Sequence, residues 1–245
     1  MSNASYAGFW VPTPVRWQVI PFGILPPITI PQGSQYFITD IELYYSPNPM
    51  APQDCWFFVV IDGVDFAVFR ADPTTNYNVK RKFRTPLLVD ASAGPRILRA
   101  ECQNTIVDGT IASGMMSGQL YQVGSYVPSI IVQRYGNAVI TAFWEPVPAT
   151  AYTVPARHTL YVTDIDFCCT GAPDEVGVLL GNMAFPFFDM FYFAGSQQRT
   201  YDSVLRTPVT IAEGTTFRLY ANDWNGAAVG QTFHASWRGQ LKQTR

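Results

Sequence analysis

Hydrophobic and polar residues alternate with a period of two along most of this chain, and that pattern predicts strands. In the clearest stretch, Phe37, Thr39, Ile41, Leu43 and Tyr45 fall on one face, and Tyr36, Ile38, Asp40, Glu42 and Tyr44 on the other. A partner stretch sets Tyr161, Thr163, Ile165, Phe167 and Cys169 on its matching face. Two apolar runs, 56–61 and 64–69, flank Asp62-Gly63. This predicts a hairpin, because a type I′ turn needs positive φ at both central residues. The second half repeats the shape as 176–180, Gly181-Asn182 and 183–185. No helical period persists over a dozen residues, and 18 Gly with 19 Pro punctuate the chain. Many short strands between Gly/Pro turns predict a sandwich or a barrel.

The strands recur because the sequence does. Ile30-Pro31, followed by Tyr36-Phe37-Ile38-Thr39-Asp40-Ile41, returns as Val154-Pro155 and Leu160-Tyr161-Val162-Thr163-Asp164-Ile165 at a constant offset, 154 − 30 = 124. Phe83-Arg84-Thr85-Pro86 returns as Leu205-Arg206-Thr207-Pro208, and each is followed by a Gly turn (Ala93-Gly94 or Glu213-Gly214) and another strand. Proline belongs at a strand start or on an edge, so Pro86 and Pro208 mark sheet margins. The expected fold is all-β: two tandem antiparallel β-sandwich, jelly-roll-like domains, 25–145 and 146–245, related by internal duplication.

Matching 139–144 to 232–237 as the ends of the copies gives an offset of 237 − 144 = 93, against 214 − 94 = 120 for the Gly turns. The first copy then holds about 27 extra residues, an inserted loop at about 105–133. That stretch carries four spaced glycines, Met115, Met116, Tyr121, Tyr126 and one formal charge, Asp108. A long, uncharged, aromatic-bearing loop is expected either to lie against a neighbouring subunit or to form an extra hairpin. Residues 1–24, with Phe9, Trp10 and Trp17, stand outside the repeat. They read equally as an arm that docks on a partner and as a strand of the first sheet.

Composition turns attention to association. Charged residues make up only 14% of the 245, against about 25% in average soluble domains. Aromatics reach 15%. Charge depletion with aromatic enrichment marks interface cores, which predicts that other subunits cover part of the surface. Phe9, Trp10, Trp17, Met115, Met116, Tyr121 and Tyr126 are the candidate interface. A net charge of −2 argues against a nucleic-acid partner, and Lys80-Arg81-Lys82 with Arg84 reads as a solvated turn. No positive n-region and apolar h-region follow Met1, and the longest apolar run, Cys55–Ile61, is far too short for a bilayer. The expectation is a soluble chain made in a cytoplasm, with no membrane.

Catalytic chemistry finds no motif. Cys55, Cys102, Cys168 and Cys169 form no disulfide framework, and the adjacent pair on one strand reads as buried thiols pointing to opposite faces. Only two histidines exist, His158 and His234, and neither metal-ligand spacing nor a Gly-x-Ser-x-Gly elbow occurs. No metal, no cofactor and no catalytic residue are expected. Asp40 with Arg84, and Asp164 with Arg206, are the one charged pair present in both copies. An unpaired carboxylate on a mostly apolar strand is costly if buried. Each Asp is therefore expected to pair with the Arg of its own copy, or to accept loop N–H groups, as a structural pin. Tyr44, Tyr45, Trp56, Phe187, Phe188, Phe191, Tyr192 and Phe193 offer a sugar-stacking row as an alternative to core or interface.

This duplicated pattern, Val/Ile-Pro before a Thr-Asp-Ile strand and then Arg-Thr-Pro and a Gly-turn strand, resembles β-sandwich modules of bacteriophage virion proteins. These include capsid, head-decoration, collar and tail-tip components, and the resemblance covers 24–144 and 146–240. Tandem jelly rolls also occur in some viral major capsid proteins. The resemblance implies a virion structural protein without catalytic residues, partnered by copies of itself and by other virion proteins. Closed symmetry favours a trimer, in which two modules per chain present six similar lobes to a sixfold lattice position. The alternative is a tail-tip or fibre module that holds cell-surface glycans.

Overall fold

A computed structural model describes residues 2–10, 28–46, 55–71, 77–104, 111–123, 130–141, 144–169, 175–181, 189–194, 200–223 and 230–244. The chain divides into two units, Met1–Pro128 and Ser129–Arg245. In the first run β1 (Ser2–Trp10), β2 (Ile28–Ile30), β3 (Ser34–Ser46), β4 (Cys55–Ile61), β5 (Val64–Ala71), β6 (Tyr77–Ala91), β7 (Arg96–Asn104) and β8 (Ile111–Gln122). They pair as two antiparallel sheets, β1-β8-β3-β6 and β2-β7-β4-β5.

In the second unit run β9 (Ile130–Val139), β10 (Trp144–Pro146), β11 (Tyr152–Thr153), β12 (His158–Cys169), β13 (Glu175–Gly181), β14 (Asp189–Ala194), β15 (Thr200–Ile211), β16 (Thr216–Asp223) and β17 (Thr232–Gln243). A 3-10 turn at Pro148–Thr150 is the one helical element among the described residues. The sheets are β9-β17-β12-β15 and β10-β16-β13-β14, with β11 also on β16. The order is the same in both units: β9 stands where β1 does, β12 where β3 does, and β17 where β8 does. Eight strands in two sheets of this order, with the short β11 added in the second unit, make a jelly roll. The chain is all-β and carries two of them in tandem.

Each unit has its own core between its two sheets. In the first, Tyr36, Ile38, Ile41, Leu87, Val89 and Met116 meet Ile30, Phe57, Val59 and Leu98. In the second, Ile165, Phe167, Phe233 and Trp237 meet Phe217, Leu219 and Ala221. Trp237 is sealed from solvent, stands edge-on to Phe217 at 5.2 Å, and donates its indole N–H to the Thr150 carbonyl at 2.8 Å. Thr150 in turn accepts the Leu219 N–H on its hydroxyl, so the 3-10 turn joins both sheets. The Asp62-Gly63 hairpin forms as expected, with φ of 51° and 81°.

Several boundaries differ from the expectation. The units part at Pro128/Ser129 rather than at 145/146, because 139–144 does not answer 232–237. Instead Val139 pairs with Thr232 within one sheet, and the true counterpart of β17 is β8. The inserted loop at 105–133 therefore dissolves: 111–122 is a central strand and 130–133 begins β9. Of the arm at 1–24, Ser2–Trp10 is an edge strand of the first sheet. In the second unit β13 pairs with Asp189–Ala194, and the expected hairpin partner 183–185 lies outside the described residues.

Candidate functional site

The duplicated residues meet at one irregularity. Along β3 and β6, Ile38 faces Leu87 but Asp40 faces Lys82, so four residues, Phe83-Arg84-Thr85-Pro86, stand opposite Thr39 alone. The second unit does the same: Val162 faces Val209, Asp164 faces Val204, and Leu205-Arg206-Thr207-Pro208 stand opposite Thr163. On the other side, Gly118 faces Ile38 and Ser117 faces Asp40, so Thr39 is the extra residue there too. Gly239 and Arg238 repeat this around Thr163. Pro86 and Pro208 thus sit in bulges on β6 and β15, the edge strands of their sheets, where no ladder hydrogen bond is demanded of them.

Thr39 Oγ1 donates to Asp40 Oδ2 at 2.6 Å and lies 3.3 Å from the Ser117 carbonyl. Thr163 Oγ1 donates to Asp164 Oδ2 at 2.7 Å and lies 3.4 Å from the Arg238 carbonyl. The bulge also shifts the side-chain phase. Tyr36, Ile38 and Ile41 share the core, whereas strict alternation had set Ile41 apart from the first two. Asp40 and Asp164 are thereby turned to the face away from the core. The Arg84 quartet stands at the same bulge as Asp40, and its side chain is exposed. Asp164 is fully buried, and the side chain of Arg206 lies outside the described residues. In each copy the neighbouring threonine donates to the acid, and the register brings the Arg-bearing quartet to the same bulge.

The halves differ most on this outer face. Arg238 Nη2 donates to Asp166 Oδ2, and both side chains are 1% exposed. Ser236 Oγ, 3.4 Å from the same oxygen, is buried too. The register gives the first unit Glu42 and Ser117 at these positions, so this ion pair does not recur there. Desolvation offsets much of the attraction in such a pair, while removing one partner costs about 3–5 kcal/mol. Next along the strand Cys168 faces His234, whose Nδ1 lies 2.8 Å from the Tyr135 hydroxyl with the rings stacked at 6.3 Å. The Cys168 side chain is sealed from solvent, and a sealed thiol cannot meet a substrate. Cys169 points the other way into the core, and neither cysteine is in a disulfide.

His158 pairs with Gln243 at the first residue of β12, and His234 faces Cys168 ten residues on. At about 3.4 Å per residue they stand on the order of 34 Å apart, and no single metal site can hold both. His158 Nδ1 lies 2.8 Å from the Ala156 carbonyl.

The candidate interface residues separate. Met116 faces the core of its own unit at 4% exposure, whereas Tyr121, on the opposite face of β8, is buried edge-on to Phe37 at 5.3 Å. Period-two alternation along a central strand forces at least one face inward, which a loop would not. Met115 pairs with Ala7 and Glu42 in β8, and Phe9 and Trp10 pair with Ser113 and Ala112. Their side chains, together with Trp17 and Tyr126, lie outside the described residues. So do the side chains of the proposed sugar-stacking row.

No family model and no curated protein matches the chain. Among solved structures it is similar to a chain of the cowpea mosaic virus top component, the naturally occurring empty particles of that virus. Identity is 11% and the TM-score 0.41, over 86% of this chain and 79% of that one. No residue role is carried over from it.

One signal in the sequence would have located β8. Gly118-Gln119-Leu120-Tyr121-Gln122 returns as Gly239-Gln240-Leu241-Lys242-Gln243, at 239 − 118 = 121. The two glycines of this echo are the ones packed against the bulges. A Cβ on Gly118 would lie 2.1 Å from the Phe37 carbonyl oxygen, and one on Gly239 would lie 2.5 Å from that of Tyr161.

Proposed function

We propose that this chain is a non-enzymatic structural protein of a virion. On the resemblance of its repeated motifs, it is a bacteriophage capsid, head-decoration or collar component that assembles as a homo-oligomer. The observation that carries the reading is the pair of same-order jelly rolls in one chain. Jelly rolls recur in viral shells, lectins and cupins. A cupin-type centre gathers its histidines around one metal, and here the two histidines stand toward opposite ends of the β12–β17 pair. What distinguishes the units chemically is a buried ion pair and a sealed thiol, groups that support packing rather than turnover. Two equivalent lobes per chain give a trimer six similar lobes, the number a sixfold lattice position presents, and closed symmetry is the rule among homo-oligomers.

The test is the mass of the purified chain by light scattering at increasing concentration, with negative-stain imaging of the largest species. A particle of three 27.3 kDa chains, or a shell built from such particles, is expected. A monomer at every concentration, with no incorporation when other virion proteins are added, would overturn the reading. So would glycan binding by that monomer, which would favour the fibre-module alternative.

A further inference from the structure

The two jelly rolls hold their first strands differently. β9 is tethered on both sides: residues 140–143 alone separate it from β10, and the 3-10 turn packs on it. A Cβ on its Gly136 would lie 2.9 Å from both Ala149 and Val147 of that turn's neighbourhood. β1 occupies the same sheet position, and among the described residues its main partner is β8, through nine register pairs from Ser2–Leu120 to Trp10–Ala112. Its tether is residues 11–27, seventeen residues before Ile28. At about 3.3–3.6 Å per residue that span reaches on the order of 55–60 Å, farther than the breadth of one unit of this size. The strand itself, Ser-Asn-Ala-Ser-Tyr-Ala-Gly-Phe-Trp, carries no formal charge and ends on two aromatics.

We infer that β1 is an exchange strand: in the assembled oligomer it lies on β8 of a neighbouring copy, in the same antiparallel register. The inference rests on the homo-oligomer proposed above. Exchange keeps every β1–β8 hydrogen bond, so its balance is set by tether entropy against new contacts along the crossing segment. That is why swapping an identical element is a low-cost route to association. It also protects an edge: without β1, the open side of β8 would present an unpaired row of N–H and C=O groups. β9 cannot exchange in this way, because four residues do not span a neighbour. The duplication thus supplies one strand on a short connection and one on a long connection for the same position.

The experiment places Ser5→Cys and Ser117→Cys, which face each other in register, on separate full-length chains. The two chains are denatured together, reassembled, and mildly oxidised. Covalent dimers joined between positions 5 and 117, identified by mass spectrometry of the linked peptides, are expected. Either single variant alone should give no such link. Ala7→Cys with Met115→Cys, also facing each other, provides a second pair should the first disturb assembly. When both substitutions sit in one chain, exchange predicts a ladder of linked chains. If every link instead closes within a chain while light scattering still reports an oligomer, exchange is overturned and the homo-oligomer stands. A monomeric wild-type chain removes both, and no link in either pair removes β1 from β8.

Discussion

A methyl group on Gly118 or Gly239 has nowhere to go. The atoms it would strike belong to backbone, at 2.1 Å and 2.8 Å in the first unit and at 2.5 Å and 3.1 Å in the second, so neither site can relax by turning a side chain. Overpacking of this kind costs about 1–3 kcal/mol and more where backbone must shift. Gly118→Ala is therefore expected to destabilise the first unit by about 3 kcal/mol, and Gly239→Ala the second by about 2 kcal/mol. Urea unfolding followed unit by unit would measure both, with exposed Gln243→Ala as a control inside about 0.5 kcal/mol. Equal midpoints for Gly239→Ala and the control would remove the close approach. At this scale the sequence disclosed the acids and the Arg-Thr-Pro quartets, but not what they surround. Asp40 and Arg84 are separated by 44 residues in sequence (84 − 40), and the register brings the Arg84 quartet alongside Asp40 only because a four-residue bulge opens opposite Thr39. Asp166 answers the acid Glu42, but Arg238 answers Ser117, so the repeat gives no sign of their pairing.

The elements that could be read from the sequence are those whose local chemistry agrees with their place. The β4–β5 hairpin is one: Asp62 and Gly63 take the positive φ that the turn demands, and the Asp62 carboxylate is then aimed across the lobe. It accepts the Ile97 N–H at 2.8 Å on one oxygen and Arg96 Nη1 at 2.7 Å on the other. The Ile97 N–H first, and then Arg96, hold its pKa below the ordinary aspartate value. A carboxyl depressed on folding adds stability that is complete above its unfolded pKa, about 3.9, and is lost as pH falls through the lower folded value. Asn tolerates the left-handed turn, so Asp62→Asn keeps the hairpin and deletes the titration. The stability gap between wild type and Asp62→Asn should hold steady from pH 7 to about 5 and narrow below about 4. A gap of the same size at pH 2 and pH 7 would show that the carboxylate is not what matters. β8 was illegible for the opposite reason. Gly114, Gly118 and the absence of charge make 111–122 read as a loop, whereas Gly118 is there because a neighbouring carbonyl passes too close for any side chain.

For the molecule as a whole, the duplication was plain and the frame of each copy was not. Strong echoes lie in the middle strands, which pair with conserved geometry in both units, while β1 and β9 share little sequence beyond Gly8 and Gly136. Where a copy begins is decided by pairing: β9 belongs with β17, so the second jelly roll starts before Ile130 and not after Glu145. This frame can be tested by cutting. A fragment of residues 129–245 keeps every strand of its two sheets and should unfold cooperatively on its own. A fragment of 146–245 loses β9 and most of β10. Val132 and Ile140 then leave the core, at about 1.5–3 kcal/mol each, and β17 becomes an open edge. Against a total stability on the order of 5–15 kcal/mol for a domain, that loss should leave the shorter fragment unfolded or aggregated. Circular dichroism melts of the two fragments compare them directly. A shorter fragment that melts at the temperature of the longer one would move the boundary back to 145/146 and return β9 to the first unit.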